Sequence, residues 1–374
     1  MYLTRGPNIG SVANIHIRKA AISMNIFPTF DGHNDTLLRL QENESTGLQQ
    51  FFRESTTGHI DLPRAHKGKF GGGFFAVFTP NENYEVAPDK FVTGNSYDLP
   101  LPPQIDQQMS LAFTTRVAAN LFKLERASSG KLKVVKNTEE LIYCLKNQIL
   151  AALFHIEGAE AIDTNFDSLH LLYKAGLRSL GITWSRPNVY GEGVPFRYPS
   201  TPDIGQGLTD HGKALVRECN DLGIMVDTTH LNEKGFWDVV ELSDSPIVAT
   251  HSNVHAICAI SRNLTDKQLQ AIKETNGVVG INYAINMLRE DGGFDTNIPL
   301  ETIVKHIAYI AENFGIDHVA LGSDFDGTTV PDSLKDVQGL PNLQQALSNY
   351  GFTNEEIEKI AYKNWVRVLG DTWK

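Results

Sequence analysis

The segment FPTFDGHND, residues 27 to 35, carries the most information about the fold. Its apolar start predicts a buried strand, and the two-residue period of a strand places His33 and Asp35 on the same face. One imidazole and one carboxylate therefore converge at the end of this strand. Such a pair is a weak metal signal by itself and gains meaning only if other strands deliver ligands to the same place.

Three further apolar runs end in a side chain that can bind a metal. They are LAALFHIE, which ends in Glu157, GIMVDTTH, which ends in His230, and PIVATH, which ends in His251. The two histidines are separated by enough residues for one strand–helix–strand crossover. We therefore expect the ends of four strands to bring together five metal ligands: His33, Asp35, Glu157, His230 and His251.

Charge balance favours a metal at this site. Burying an isolated carboxylate costs several kcal/mol, and two carboxylates crowded among three imidazoles would desolvate one another. A pair of divalent cations about 3.5 to 4 Å apart, bridged by Glu157 and by a hydroxide, would remove this cost and create a nucleophile at neutral pH. Mixed histidine and carboxylate ligation suits zinc best, with manganese, cobalt and iron as alternatives.

The rest of the chain alternates strands and helices, which predicts a parallel sheet covered by helices. The eight core strands are predicted at residues 28–33, 72–78, 150–156, 177–184, 223–229, 245–251, 277–283 and 318–324. This count predicts an α/β fold, a (β/α)8 TIM barrel of the metallo-dependent hydrolase type with insertions.

Two insertions are long enough to border the active site. The first lies between the second and third strands and includes a proline-rich segment at 98–103 and a predicted helix near 106–127. The second, residues 186–207, holds four prolines and several aromatic residues. We expect the first to form part of a lid or of the edge of the site, and the second to shape the substrate pocket.

The predicted domain organisation is simple. Residues 27–374 are expected to form a single barrel domain, because 374 residues are ample for one large barrel with insertions. Residues 1–26 contain three basic residues and no acidic one, a composition faintly like that of a transit peptide. We interpret them as an N-terminal extension, either a disordered leader or chain that precedes a natural start at Met24.

Composition narrows the function classes. A net charge of −11 and the lack of a Lys/Arg-rich tract argue against nucleic acid as a partner. No apolar stretch approaches the roughly 18 residues that span a bilayer, so no membrane anchor is expected. Cys144, Cys219 and Cys258 lie far apart in apolar or helical contexts, which indicates reduced core thiols in a cytoplasmic protein.

At these motifs the chain resembles the renal (membrane) dipeptidase family of the amidohydrolase superfamily. The similar segments are DGHND (31–35), HIEGAEAI (155–162), VDTTHLN (226–232), THSN (250–253), SRNLTD (261–266) and GSDFDG (322–327). The resemblance covers about residues 30 to 369. It implies a metal-dependent dipeptidase with two zinc ions that cleaves small dipeptides and tolerates a D-residue at the C-terminal position. It also implies a homodimer.

The resemblance implies a role for each ligand. His33, Asp35 and Glu157 are expected to hold one metal, and Glu157, His230 and His251 are expected to hold the other. Glu157 is thereby shared between the two metals.

Two more residues have roles implied by the resemblance. Asp324 is expected to handle the proton or the substrate's amino group, and Arg262 to bind the substrate's carboxylate. Both roles make chemical sense. A carboxylate at the end of the last strand can pass a proton to a leaving amine, and a guanidinium can hold a carboxylate through two parallel hydrogen bonds. Asp326 is an alternative to Asp324.

The chain departs from the family pattern at Trp184. Renal-type enzymes have a histidine there that is thought to polarise the scissile carbonyl. An indole can donate one hydrogen bond but cannot become a cation. Either Trp184, Arg186 or the metal alone then polarises the carbonyl, or the preferred substrate is different.

Two other functions stay open. The same metals could hydrolyse another amide or a lactone, as Trp184 would permit. A catalytically silent barrel with a binding role is disfavoured, because all five ligands are present. Three histidines lie outside the five predicted ligands. His155 is interpreted as a packed or hydrogen-bonded core residue, with metal ligation as the alternative, and His211 and His255 as structural or solvated.

Overall fold

Within residues 25–42, 47–81 and 88–374, which this computed structural model describes, eight parallel strands form a barrel. They are β1 (Thr29–Asn34), β2 (Phe70–Phe78), β3 (Leu150–Glu157), β4 (Leu177–Gly181), β5 (Met225–Asp227), β6 (Val248–Ser252), β7 (Val278–Ile281) and β8 (Val319–Leu321). Each strand pairs with the next, and a parallel bridge between Asn34 and Phe325 joins the last strand to the first. The predicted (β/α)8 barrel is confirmed.

Helices cover the outside of the barrel. They are α1 (Thr36–Glu42), α2 (Gly47–Gln50), α3 (Leu62–Lys67), α4 (Gln107–Ala127), α5 (Thr138–Asn147), α6 (Asp167–Ala175), α7 (Asp210–Leu222), α8 (Glu233–Leu242), α9 (Asp266–Glu274), α10 (Ile285–Leu288), α11 (Glu301–Asn313), α12 (Leu340–Tyr350), α13 (Asn354–Glu358) and α14 (Asn364–Thr372). The strands read as continuous apolar runs because helices bury one face and the barrel interior buries the other. β3 is buried along its whole length.

Trp365 packs among the side chains of the barrel interior. Its side chain is fully buried, its indole N–H donates to the Leu321 carbonyl at 3.0 Å, and its ring packs against Phe74 with centroids 5.0 Å apart. A Cβ at Gly32 would lie 2.5 Å from the Trp365 ring and 2.3 Å from the Thr250 carbonyl oxygen. The glycine of the DGHND segment is therefore required so that β1 can pass between this ring and β6.

The two insertions meet in a small antiparallel sheet above the barrel. Its strands are Val92–Thr93, Ser96–Asp98 and Arg197–Tyr198. The rings of Tyr97 and Tyr198 stack across it with centroids 5.8 Å apart. The predicted helix of the first insertion is α4, which begins at an Asp106 side chain that accepts from the Met109 amide. A further short strand, Leu132–Val134, pairs with β3.

The expected N-terminal extension, residues 1–26, lies outside the described residues except for its last two positions. All three cysteines are buried and free, as predicted. In the described part of the chain, none of the helices has the length and apolarity that crossing a membrane requires.

His306 on α11 ties together two loops at the polar end of the barrel. Its buried ring accepts from the Val254 amide through Nδ1 at 3.1 Å and donates from Nε2 to the Leu288 carbonyl at 2.9 Å. Burial lowers the pKa of His306 from 6.5 to about 4. The ring is therefore neutral in the folded protein at neutral pH.

We expect His306 to make the fold acid-sensitive. Because the pKa is lower in the folded state, the unfolded chain binds the proton first as the pH falls, and stability is lost between about pH 6.5 and pH 4. The loss from this one group is about 2 kcal/mol at pH 5. The free energy of unfolding, measured with denaturant at pH 7.5 and at pH 5, should change less between the two pH values in His306→Gln than in the wild type, by this amount. His211→Gln, at an exposed position, should behave like the wild type; an unchanged difference in His306→Gln would contradict the assignment.

Candidate metal centre

The structure brings all five predicted ligands to the C-terminal end of the barrel. His33, Glu157 and His251 lie on β1, β3 and β6, while Asp35 and His230 follow β1 and β5 directly. Each of these side chains belongs to a residue that is at most 5% exposed. Strand ends in a barrel converge, so residues that are far apart in sequence become neighbours here.

Glu157 stands between two groups of ligands. Its Oε1 lies 3.0 Å from His230 Nε2 and 3.5 Å from His251 Nε2. Its other oxygen, Oε2, lies 3.7 Å from His33 Nε2, which is in turn 3.3 Å from Asp35 Oδ2. Glu157 thus lies between His230 and His251 on one side and His33 with Asp35 on the other, while the His33 and His251 rings also lie close together, with centroids 3.9 Å apart. The assignment of these ligands to two metals stays a prediction.

These residues fit divalent cations. Among the described residues, neither ring nitrogen of His33 has a hydrogen-bond partner, although the ring is completely buried. Ligand atoms of His33, Glu157 and His251 lie within 4.8 Å of one another, as do those of His33, Asp35 and Asp324. A buried imidazole beside carboxylates is expensive unless it carries a proton or its lone pair binds a cation that displaces the proton.

Burial and neighbouring charges shift the pKa values of the predicted ligands. Burial raises the pKa of Glu157 to about 8, and the neighbouring charge of His33 only partly opposes it. Burial would lower the pKa of His33, but the carboxylates of Glu157 and Asp35 outweigh it and raise the value to about 10. Burial lowers the pKa values of His230 and His251 well below normal, which keeps both rings in the neutral form that metals bind.

Two hydroxyl groups orient the histidines of one set. Ser185 Oγ lies 2.8 Å from His230 Nδ1, and Thr250 Oγ1 lies 2.9 Å from His251 Nδ1. In both rings the Nδ1 atom is therefore engaged and Nε2 is directed at Glu157 and the other histidine, with 3.1 Å between the two Nε2 atoms.

Asp324 lies at the edge of the same cluster. Its Oδ2 accepts from Asn282 Nδ2 at 2.8 Å, and its backbone is in the left-handed region with φ 60°. Gly327 makes room for it: a Cβ there would lie 2.5 Å from Asp324 Oδ1 and 2.1 Å from Asp35 Oδ2. Burial raises the pKa of Asp324 to about 6, a value suited to proton transfer near neutral pH.

Asp326, the alternative to Asp324, has other partners. Its buried carboxyl group accepts from the Thr36 hydroxyl at 3.0 Å and from the His59 amide at 2.5 Å, and it pairs with Arg39 at 3.0 Å. These contacts tie Asp326 to the loop structure around α1. Asp324 is therefore the better placed of the two for chemistry.

Arg262 lies beside the second ligand set. It follows β6 and is 4% exposed, and its Nη2 is 3.2 Å from His230 Nε2 and 3.4 Å from the His251 carbonyl oxygen. Its Nε has no hydrogen-bond partner among the described residues. Burial lowers its pKa to about 10, which still leaves the guanidinium charged at neutral pH.

Trp184 and Arg186 have different positions. Trp184 packs against Phe78, Phe196 and His230, with ring centroids 5.0, 6.0 and 5.7 Å away, and lines the cavity. Arg186 lies behind it, fully buried, with its Nε paired to Glu160 at 2.6 Å. Of the two side chains, Trp184 is the one that can touch a substrate.

A single cavity of about 600 Å³ joins these groups. Both ligand sets, Asp324, Arg262 and Trp184 contribute to its lining, together with apolar residues from β2, the second insertion and α10. Phe196 and Asp89 come from the second and first insertion, so both predicted insertions border the site. This size suits a small ligand.

The remaining histidines lie outside the two ligand sets. His155 is buried, with Nδ1 2.9 Å from Ser179 Oγ, and His255 Nε2 lies 2.8 Å from the Ser200 carbonyl oxygen. His211 is exposed on α7. Asn282 was missed by the sequence reasoning, although its position just after β7 matched that of the other site residues.

Comparison with known proteins agrees with this geometry. The family model described as membrane dipeptidase, peptidase family M19, matches residues 17–373. A crystal structure of a metallo peptidase from Rhodobacter sphaeroides, liganded with a phosphinate mimic of the dipeptide L-Ala-D-Ala, is 45% identical, with a TM-score of 0.91 over 93% of this chain and 100% of that chain. The crystal structure of a dipeptidase of family M19 is also 45% identical, with a TM-score of 0.88 over 93% of this chain and 99% of that one. Dipeptidase tcpJ of Claviceps purpurea is 26% identical over 91% of this chain and 76% of its own length.

We expect Glu157→Gln to lose metal from both ligand sets. The amide removes the charge that the two sets share and leaves only one oxygen for coordination. Elemental analysis after dialysis should show two metal ions per wild-type chain and at most one in the variant. Glu160→Gln is the matched control, because the Glu160 carboxylate is also buried but pairs with Arg186. Equal metal content in wild type and Glu157→Gln would contradict the bridging position.

Proposed function

Since the chain belongs to the membrane dipeptidase family, peptidase family M19, we propose that this metallo-dipeptidase hydrolyses small dipeptides, including those with a D-residue at the C-terminal position. The observation that carries the proposal is the shared cavity, where Arg262 lies next to the two ligand sets around Glu157. The likeness to a structure that binds a mimic of L-Ala-D-Ala supports both the size and the stereochemistry of the substrate.

The proposed cofactor is a pair of zinc ions. His33, Asp35 and Glu157 would hold one, and Glu157, His230 and His251 the other. When bound, such a pair supplies a water nucleophile at neutral pH and polarises the carbonyl oxygen. Zinc is preferred because the donors are imidazole nitrogens and carboxylate oxygens.

Arg262 is proposed to bind the C-terminal carboxylate of the substrate. In the metal-free protein its Nη2 contacts His230 Nε2, the atom that a metal would take. Metal loading would therefore release this N–H for the substrate. A buried guanidinium without a carboxylate partner at hand favours an anionic ligand, and two parallel hydrogen bonds fix that ligand's orientation.

Asp324 is proposed to move the proton. Asn282 holds its Oδ2, so Oδ1 is the oxygen that faces Asp35 and the cavity. From there it can accept a proton from the attacking water and pass it to the leaving amine. The amino group of the substrate would lie on this acidic side of the cavity, opposite Arg262.

Trp184 is proposed to bound the substrate as an apolar wall. Its ring is enclosed by Phe78 and Phe196, and Arg186 supports it from behind at 5.6 Å. Because Arg186 is paired with Glu160, it is not placed to polarise a carbonyl. Because Trp184 replaces the histidine of renal-type enzymes, a second substrate class, other amides or lactones, stays open. The homodimer and the cytoplasmic location expected from the sequence stay predictions.

We expect amino acid release from L-Xaa-L-Xaa and L-Xaa-D-Xaa dipeptides by the zinc-loaded protein. Treatment with a chelator, or the Glu157→Gln substitution, should abolish it, because both remove the metal pair. Rates across the panel would give the stereochemical preference. Two bound metals without turnover of any dipeptide would instead favour another amide or a lactone as substrate.

We expect Arg262→Met to lower kcat/KM for a dipeptide about 30- to 100-fold, because a buried charge-assisted hydrogen-bond pair is lost. The matched test uses dipeptide amides, which lack the terminal carboxylate. The wild type should prefer the free dipeptide strongly, and the variant should treat both substrates alike. A preference that survives in Arg262→Met would show that another group binds the carboxylate.

A further inference from the structure

We propose that Asp227 and Thr250 form a relay that holds His251 in the tautomer able to bind a metal. The proposal rests on the metal site described above and adds Asp227 to the contact between Thr250 and His251. Asp227 ends β5 and Thr250 precedes His251 on β6. All three residues are at most 1% exposed.

The available donors and acceptors determine which atom carries each proton of the relay. Thr250 Oγ1 lies 2.6 Å from Asp227 Oδ2 and 2.9 Å from His251 Nδ1. A carboxylate can only accept, so the single hydroxyl proton of Thr250 is donated to Asp227. The hydroxyl oxygen then accepts from His251 Nδ1–H. This leaves the Nε2 lone pair facing Glu157 Oε1 at 3.5 Å and His230 Nε2 at 3.1 Å, an arrangement that a cation between these atoms would stabilise.

Two further hydrogen bonds hold the Asp227 carboxyl group in this orientation. Its Oδ1 accepts from the Thr229 amide at 3.0 Å and from the Thr250 amide at 2.9 Å. The first bond is local to the end of β5, the second joins β5 to β6, and together they fix the plane of the carboxyl group. Oδ2 is thereby aimed at the Thr250 hydroxyl, and His155 Nε2, at 3.8 Å, is too distant to compete.

The relay prepares His251 to act as a metal ligand. A metal-binding histidine is usually held by a hydrogen bond from its other nitrogen to a carboxylate or carbonyl, and losing that partner typically lowers metal affinity 10- to 100-fold. Here a threonine hydroxyl stands between the imidazole and the carboxylate. Asp227 and Thr250 are positioning residues that act through His251 and do not themselves contact the metal.

The sharpest test is Asp227→Asn, which keeps the shape and reverses the relay. The two backbone amides keep the side-chain oxygen of the asparagine, so its NH₂ group must face Thr250 Oγ1. The threonine then accepts from this NH₂ and donates its own proton to His251 Nδ1. The ring proton moves to Nε2, where it blocks a metal.

Two measurements follow from this reversal. In metal-free protein labelled with ¹⁵N-histidine, nitrogen chemical shifts should report an Nδ1–H tautomer for His251 in the wild type and an Nε2–H tautomer in Asp227→Asn. Competition with a chelator should show that one of the two zinc ions binds about 10- to 100-fold more weakly in the variant. An unchanged tautomer, or zinc affinity equal to that of the wild type, would overturn the relay.

Threonine variants separate the relay from general packing. Thr250→Val should give a mixture of tautomers and weaker binding of one zinc ion, and Thr250→Ser should restore both properties. Thr228→Val is the matched control, because it also removes a hydroxyl bond between β5 and β6, to the Val248 carbonyl at 2.7 Å, but touches no histidine. Equal effects of Thr228→Val and Thr250→Val would refute the proposal. If the wild type binds no zinc, the metal site fails, while the tautomer in the metal-free protein still decides the relay.

Discussion

The carboxylates buried at one end of the barrel impose a charge balance that the surrounding residues have to meet. Glu157 and Asp35 are almost fully buried, Asp324 lies beside them, and a buried carboxylate costs several kcal/mol unless it is paired. The imidazoles and Arg262 compensate only in part, since the pKa of Glu157 stays raised to about 8. A pair of divalent cations would neutralise the remaining negative charge. The groups that must be neutralised for folding are therefore the same groups that would prepare a nucleophile.

The backbone is bent to meet this constraint. His230 and Asp324 adopt left-handed conformations, with φ of 68° and 60°, which non-glycine residues seldom take. Such strain is tolerated where surrounding contacts hold it, and here the Asp324 amide donates to the His33 carbonyl at 3.0 Å. Glycines relieve crowding where side chains converge, as Gly327 does beside the two carboxylates and Gly32 does above Trp365.

The barrel and the five ligands could be predicted from the sequence because each ligand ends an apolar run, and parallel strands bring such ends together. Strand lengths were less predictable. The strand expected at 223–229 is only Met225–Asp227, because the chain turns before His230. Side-chain contacts between neighbouring strands and loops could not be predicted either. Nothing in the order of residues indicates that Asn282 holds Asp324. Nor does it indicate that Arg186 pairs with Glu160, which leaves Trp184 at the cavity.

The two halves of the site are built differently. His230 and His251 are each oriented by a hydroxyl group at Nδ1, whereas His33 Nδ1 has no hydrogen-bond partner among the described residues. The half with His230 and His251 is therefore organised by hydrogen bonds before any ion arrives. The half with His33 depends on charge, since its ring is held between the carboxylates of Asp35 and Glu157. Because Glu157 lies within 4 Å of His230, His251 and His33, the ordered half also positions the carboxylate beside which the His33 ring lies.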